Sequence, residues 1–247
     1  MKPLLRAELI KLRTTRTFAG LAGAAIGISL LIAGLVAVLT EPTEESVLVD
    51  VFTTDTSGLF IVVLAVVGIG GEWRHRTITS SLLAAPDRLR FLAAKTLAFA
   101  AAGALLSIGI SIAVASVGAA ILSVRDLPLP EAGELAAQYG RNALVAALLG
   151  ALGVGVGALV RNQVVAVVGL LVFWFMVEPM LLSLVPEVGR FGPFVALSTG
   201  LSNIPPEEAG VGDVELLDPG FAALALLAWI GAAFAAGYAL LRGRDVH

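Results

Sequence analysis

Charged residues are missing from six long stretches of this chain, and that pattern constrains the fold more than any motif does. No charge occurs in the 24 residues between Arg16 and Glu41, the 16 between Asp55 and Glu72, the 29 between Lys95 and Arg125, or the 19 between Arg141 and Arg161. From Asn162 to Pro186 the single charge is Glu178, and 23 uncharged residues separate Asp218 from Arg242. A helix crosses a bilayer with about 20 apolar residues, in a usual range of about 17–25. None of the six runs has the polar face of helical period that a helix packed in a soluble bundle would show. Only 14 % of the residues are charged and 58 % are apolar, against about 25 % charged in an ordinary soluble domain. That excludes a disordered chain, a coiled coil and a nucleic-acid-binding domain, each of which needs more charge.

The expected fold is therefore an all-α polytopic membrane protein, a single transmembrane domain over 1–247. Its spans fall at about 18–39, 55–71, 92–122, 142–160, 164–185 and 220–241. The second run is short and borrows from 51–56 or stands where the bilayer thins. The third is too long for one upright helix and must tilt, kink or project. The first apolar stretch, Phe18–Leu39, is longer than a signal-peptide core of about 7–15 residues and has no A-x-A-like site after it, so it reads as a retained span.

The net charge of −3 conceals a separation of charge. Thirteen of the 16 cations fall before span one, between spans two and three, between spans four and five, and after span six; 14 of the 19 acids fall in the other loops. The positive-inside rule places the cation-rich side, with both termini, in the cytoplasm. The absence of cysteine fits an oxidising outer face.

Most enzyme chemistries lack their residues. The two histidines, His75 and His247, lie outside the spans, no span holds an aspartate, and H-E-x-x-H is missing, which argues against intramembrane proteolysis. No lysine follows a glycine, so there is no phosphate-binding loop and ATP hydrolysis would need another subunit. The intramembrane acid is Glu178, followed by Pro179, which should kink or end its helix. Glu178 either lines a pathway or holds an outer gate, or it is a structural acid bonded to freed backbone amides or paired with Arg190. The apolar, glycine- and proline-broken stretch 191–201 suggests a re-entrant or interfacial element; a simple loop is the alternative.

At the amino terminus, Leu5, Leu9 and Leu12 fall on one side of a helix with Arg6 and Arg13 beside them. Such a helix lies in the cytoplasmic interface among anionic headgroups, or serves merely as a cationic anchor. The stretch 71–95, GEWRHRTITSSLLAAPDRLRFLAAK, is longer than a connection requires. Ile78, Leu82 and Leu83 recur at helical spacing between two charged clusters, the signature of a short helix that docks in a partner's groove.

That stretch resembles the permease subunits of ABC-2-type transporters, above all the small bacterial drug, bacitracin and lantibiotic-resistance permeases. Gly71, Glu72, Trp73, Arg74, Thr77, Ile78, Leu82 and Arg90 match the family's pattern, with Pro86 close by. The opening Leu5, Ala7, Glu8 and Lys11–Arg16 is similar, as is the pair Glu178–Pro179. Arg76 stands where the family often has glycine. The resemblance implies a six-span exporter subunit in a bacterial cell membrane, working as two copies with a separate ATPase that binds ATP and Mg, and moving an unknown amphiphilic drug, peptide or lipid outward. It also implies that Glu72, Trp73, Arg74, His75, Arg76, Thr77, Ile78, Leu82 and Leu83 form the coupling helix. Leu5, Arg6, Glu8, Lys11 and Arg13 would belong to the interfacial helix, and Glu178 and Pro179 to the path or outer gate. A membrane sensor or assembly scaffold docking a cytoplasmic partner, or a proton-coupled transporter, is the alternative.

Overall fold

The computed structural model describes residues 2–74, 87–160, 162–212 and 214–242, with the backbone alone at Trp73, Leu241 and Arg242. Among the described residues there are helices and loops and no strands. Six helical stretches are long and apolar enough to cross a membrane, so the molecule has the makings of a multi-pass membrane protein.

Helix α1 (Lys2–Thr14) runs almost directly into α2 (Arg16–Leu39). The hydroxyls of Thr14 and Thr15 both bond back to the carbonyl of Lys11, an acceptor that the end of α1 leaves open. The second span differs from a single apolar rod. A short helix α3 (Val47–Phe52) is followed by four unwound residues, and α4 (Ser57–Arg74) begins after them.

The long third run is one unbroken helix, α5 (Arg88–Val124), of 37 residues and so about 55 Å long. It exceeds the hydrocarbon thickness by more than half. Asp87 starts it by accepting the backbone N–H groups of Leu89 and Arg90 at 3.0 and 3.2 Å. At its far end Arg125 donates to the carbonyls of Ala37 and Thr40 at 2.6 and 2.7 Å, capping α2 with a cation where the helix dipole favours one.

Helix α6 (Ala132–Leu159) is the centre of the bundle, packed against α4, α5 and α11 (Pro219–Arg242). Two-thirds of its apolar window, 67 %, is buried, against 22 % for α2 and 17 % for α11. Glycine makes this possible. A Cβ on Gly150 would lie 2.5 Å from the Phe99 carbonyl oxygen, and one on Gly103 would overlap the Ala146 carbonyl. With hydrocarbon on both sides of the comparison, close backbone approach of this kind holds membrane helices together.

The fifth span is α7 (Gln163–Val172), a π-helical turn at Phe173–Val177, and α8 (Glu178–Leu184). Pro179 does not end the helix there. It lacks an N–H and its ring would clash with a carbonyl four residues back in a regular α-helix; the wider π-turn just before it fits both constraints. Beyond α8 the chain turns through α9 (Pro186–Gly189) into α10 (Ala196–Ser202), which folds back onto α6 and α11 with Leu197 and Leu201 buried.

Candidate functional site

Buried charge occurs at both ends of this bundle, as a cluster at one and as a lone carboxylate at the other. At the end bearing α1, four residues meet. Glu8 and Lys11 share a face of α1 because they are three residues apart. Glu72 stands in the last turn of α4 and Lys95 in the second turn of α5. Lys95 Nζ donates to Glu8 Oε2 at 2.7 Å and to Glu72 Oε1 at 2.9 Å. Lys11 Nζ donates to Glu8 Oε1 at 2.8 Å and to Glu72 Oε1 at 3.3 Å. The Lys95 side chain is 2 % exposed, whereas that of Lys11 is 51 % exposed. Lys95 also lies 5.5 Å from the centre of the Phe91 ring.

Burial alone would raise the Glu8 pKa, but Lys95 and Lys11 outweigh it and hold the carboxyl below its ordinary value. Burial likewise works to lower the Lys11 pKa, and Glu8 and Glu72 overcome it, leaving the amine above its ordinary value. Two acids and two bases thus balance, with Glu8, Glu72 and Lys95 buried and Lys11 at the edge. Beside them a cavity of about 710 Å³ opens between α1, α2, α4 and α5, walled by Leu12, Phe18, Val67 and Phe99 and floored by Glu72 and Arg74.

Glu72 and Lys95 are the last and first buried charges on either side of 75–86. The two roots of that connection are therefore tied to each other and, through Glu8, to α1. Arg74 is exposed, and the Trp73 backbone continues α4. His75, Arg76, Thr77, Ile78, Leu82 and Leu83 lie outside the described residues. Helix α1 forms as its leucine spacing predicts, but its most deeply buried side chain is the acid Glu8; Leu5 is half-buried and Arg6, Leu9 and Arg13 are exposed. By sequence Lys95 is one of the thirteen cations on the cation-rich side. The signal for more was present, since it falls inside the third span, about 92–122, where a charge needs a partner.

At the opposite end Glu178 is 0 % exposed. Its Oε2 accepts the N–H of Phe194 at 3.0 Å, and its Oε1 accepts those of Val195 and Ala196 at 2.7 and 3.0 Å. These are amides at the start of α10, which lack helical partners of their own, and a carboxylate is well matched to them. A Cβ on Gly192 would overlap the carboxylate, so glycine there leaves room for the clamp. Trp174, from the π-turn, stacks on Phe194 with ring centres 4.8 Å apart and planes 18° apart. Of the arrangements open to Glu178, bonding to freed amides is the one observed. Arg190 lies over the Phe191 ring at 5.3 Å instead. Pro179 is exposed.

One expectation is corrected. The charge-free runs hold no aspartate, yet Asp55 lies within the folded second span, where its carboxylate accepts the Ser57 N–H at 2.8 Å and the Ser107 hydroxyl of α5. Hydropathy puts Asp55 only at the edge of that span, about 55–71, because the run of apolar neighbours begins after it. No family model matches the sequence, and no curated protein matches it.

Proposed function

We propose that this chain is the membrane-spanning subunit of an ATP-driven exporter of the ABC-2 type, embedded in a bacterial cell membrane as a dimer and powered by a separate ATPase that binds ATP and Mg. The observation that carries this reading is the Glu8–Lys11–Glu72–Lys95 cluster at the roots of 75–86. A motor pushing on that connection would load α4, α5 and α1 together, because buried charges join them. The concentration of cations at that end supports placing it, with both termini, in the cytoplasm. The missing phosphate-binding loop fits a motor supplied by another chain.

On this reading Glu178 and the α9–α10 segment belong to an outer gate. The clamp supports a role in holding that gate's shape more than one in contacting cargo along a path. The cargo is an amphiphile, and α1 rests at the inner headgroups.

The test is reconstitution with the ATPase. Arg74→Glu alters an exposed charge beside the connection and leaves the buried cluster intact. It should reduce ATP-driven export at least tenfold while both proteins still assemble. Export at the unaltered rate would refute the coupling assignment. Asp55 favours a second reading, a proton-coupled transporter, because it supplies a carboxylate inside the bundle. Transport that follows an imposed pH gradient in the absence of ATP would establish that alternative, and a sensor or scaffold would move no cargo under either condition.

A further inference from the structure

Helix α4 begins deep within the bundle. Thr56, just before it, donates its backbone N–H to Ser29 Oγ at 3.1 Å and its hydroxyl to the Ala25 carbonyl at 3.1 Å. Ser29 precedes the Leu39 end of α2 by ten residues, so the break between α3 and α4 lies about 15 Å below that end. Irregular backbone at such depth in a bilayer survives only where it is buried in protein or lines a cavity. Thr53, Asp55 and Thr56 of the break line a cavity of about 260 Å³.

The walls of that cavity come from the break, α6, the π-turn and α10. Asp55, Asn142, Ser198 and Thr199 supply polar groups, while Leu149 and Trp174 supply an apolar face. Among the described residues no basic side chain forms an ion pair with Asp55. It accepts from the Ser107 hydroxyl and from the backbone and side chain of Ser57, and these neutral donors leave its charge without a counter-ion. Asn142 is 6 % exposed; its Oδ1 accepts from Gln138 at 3.0 Å, but its Nδ2 has no acceptor. An uncompensated carboxylate and an unanswered amide donor are both costly at this depth.

A single kind of guest answers both. A protonated amine donates to the carboxylate and to the serine and threonine oxygens. An oxygen nearby on the same guest accepts from Asn142, and its apolar body lies against Trp174. We propose that this cavity is a binding site for a protonated organic amine that carries a neighbouring hydroxyl or carbonyl oxygen. Discontinuous helices bordering a midplane pocket are the arrangement by which membrane transporters hold charged guests. The inference deepens the exporter reading by naming the cargo's charged group, and it rests on that reading only for the word cargo.

Equilibrium dialysis of tritiated phenylethanolamine against the full chain in lipid nanodiscs tests it, without ATPase or ATP. Saturable binding of one amine per chain is expected, with the neutral isostere phenylethylene glycol at least tenfold weaker as a competitor. Asp55→Asn keeps an acceptor for Ser57 and should weaken binding at least tenfold. Thr199→Phe fills the cavity with Asp55 untouched and should abolish binding. No saturable binding to the wild type, or binding that Thr199→Phe leaves unchanged, overturns the proposal. So does sodium-23 line broadening that depends on Asp55 while the amine fails to bind, since the site would then hold a bare ion. Because the readout uses the chain alone, its failure leaves the exporter reading standing. A chain that binds the amine but never engages an ATPase would reverse that outcome.

Discussion

Replacing Lys95 by methionine should be the most damaging single change at the α1 end of the bundle. Methionine keeps the apolar stem, so little packing is lost and the effect is electrostatic. Lys95 donates to Glu8 at 2.7 Å and to Glu72 at 2.9 Å, and its amine is almost fully enclosed. Removing it strands two carboxylates whose side chains are each 9 % exposed. Breaking a buried pair by deleting one partner costs about 3–5 kcal/mol. Lys11 remains but cannot rescue them: half exposed, it is worth at most about 1 kcal/mol to either acid. The expected loss for Lys95→Met is therefore about 3 kcal/mol or more, read by reversible SDS titration of the purified chain. The same loss should free α1, so its amides should exchange faster in hydrogen–deuterium exchange. Adding Glu8→Gln and Glu72→Gln to Lys95→Met should recover at least half the stability, because no buried charge is then left unpaired. A Lys95→Met protein within about 0.5 kcal/mol of wild type, or a triple variant worse than the single, would refute the reasoning.

Glu178→Gln leaves a carboxamide that can accept from Val195 and Ala196 but presents its NH₂ to the Phe194 amide. A cost of about 1–3 kcal/mol is expected, with faster exchange confined to the amides of 194–196. Slow exchange there in the variant would show that the clamp does not hold α10. The docking of α1 should be stable across neutral pH. Glu8 has a lowered pKa, so its contribution is present above the ordinary glutamate value of about 4.3 and is lost on acidification below it. Lys11 has a raised pKa, so its contribution is present below the ordinary lysine value of about 10.4 and is lost above it. Exchange of α1 amides against pH should show that plateau with both flanks, and a transition near pH 7 would contradict it. Gly150→Val should destabilise the bundle by about 1–3 kcal/mol through the Phe99 carbonyl, whereas Gly109→Val, with open space around it, should change little.

Charge-free runs made the six helices legible, because a bilayer demands about 20 apolar residues whatever their neighbours do. They left two irregularities unread. The break at 53–56 is invisible to hydropathy: Thr53, Thr54 and Thr56 are compatible with helix, and only the Ser29 and Ala25 contacts of Thr56 show where α4 starts. The π-turn was foreshadowed by Pro179, but a proline announces a fault in the helix without saying how the fault is resolved. Glu178 was legible as an exceptional acid, and freed amides were among its expected partners; that they belong to 194–196 follows from how the α9–α10 segment folds back. Glu8, Glu72 and Lys95 sit 64 and 23 residues apart in sequence. Nothing in the pattern of one helix reveals a charge on another, so their meeting required the packed structure.

ATP-dependent efflux from proteoliposomes holding this chain and its ATPase, under no ion gradient, tests the central claim most directly. The account predicts that cargo leaves only when both proteins and ATP are present, and that Arg74→Glu reduces efflux at least tenfold without separating them. Efflux that needs no ATPase, or that ignores Arg74→Glu, would contradict it.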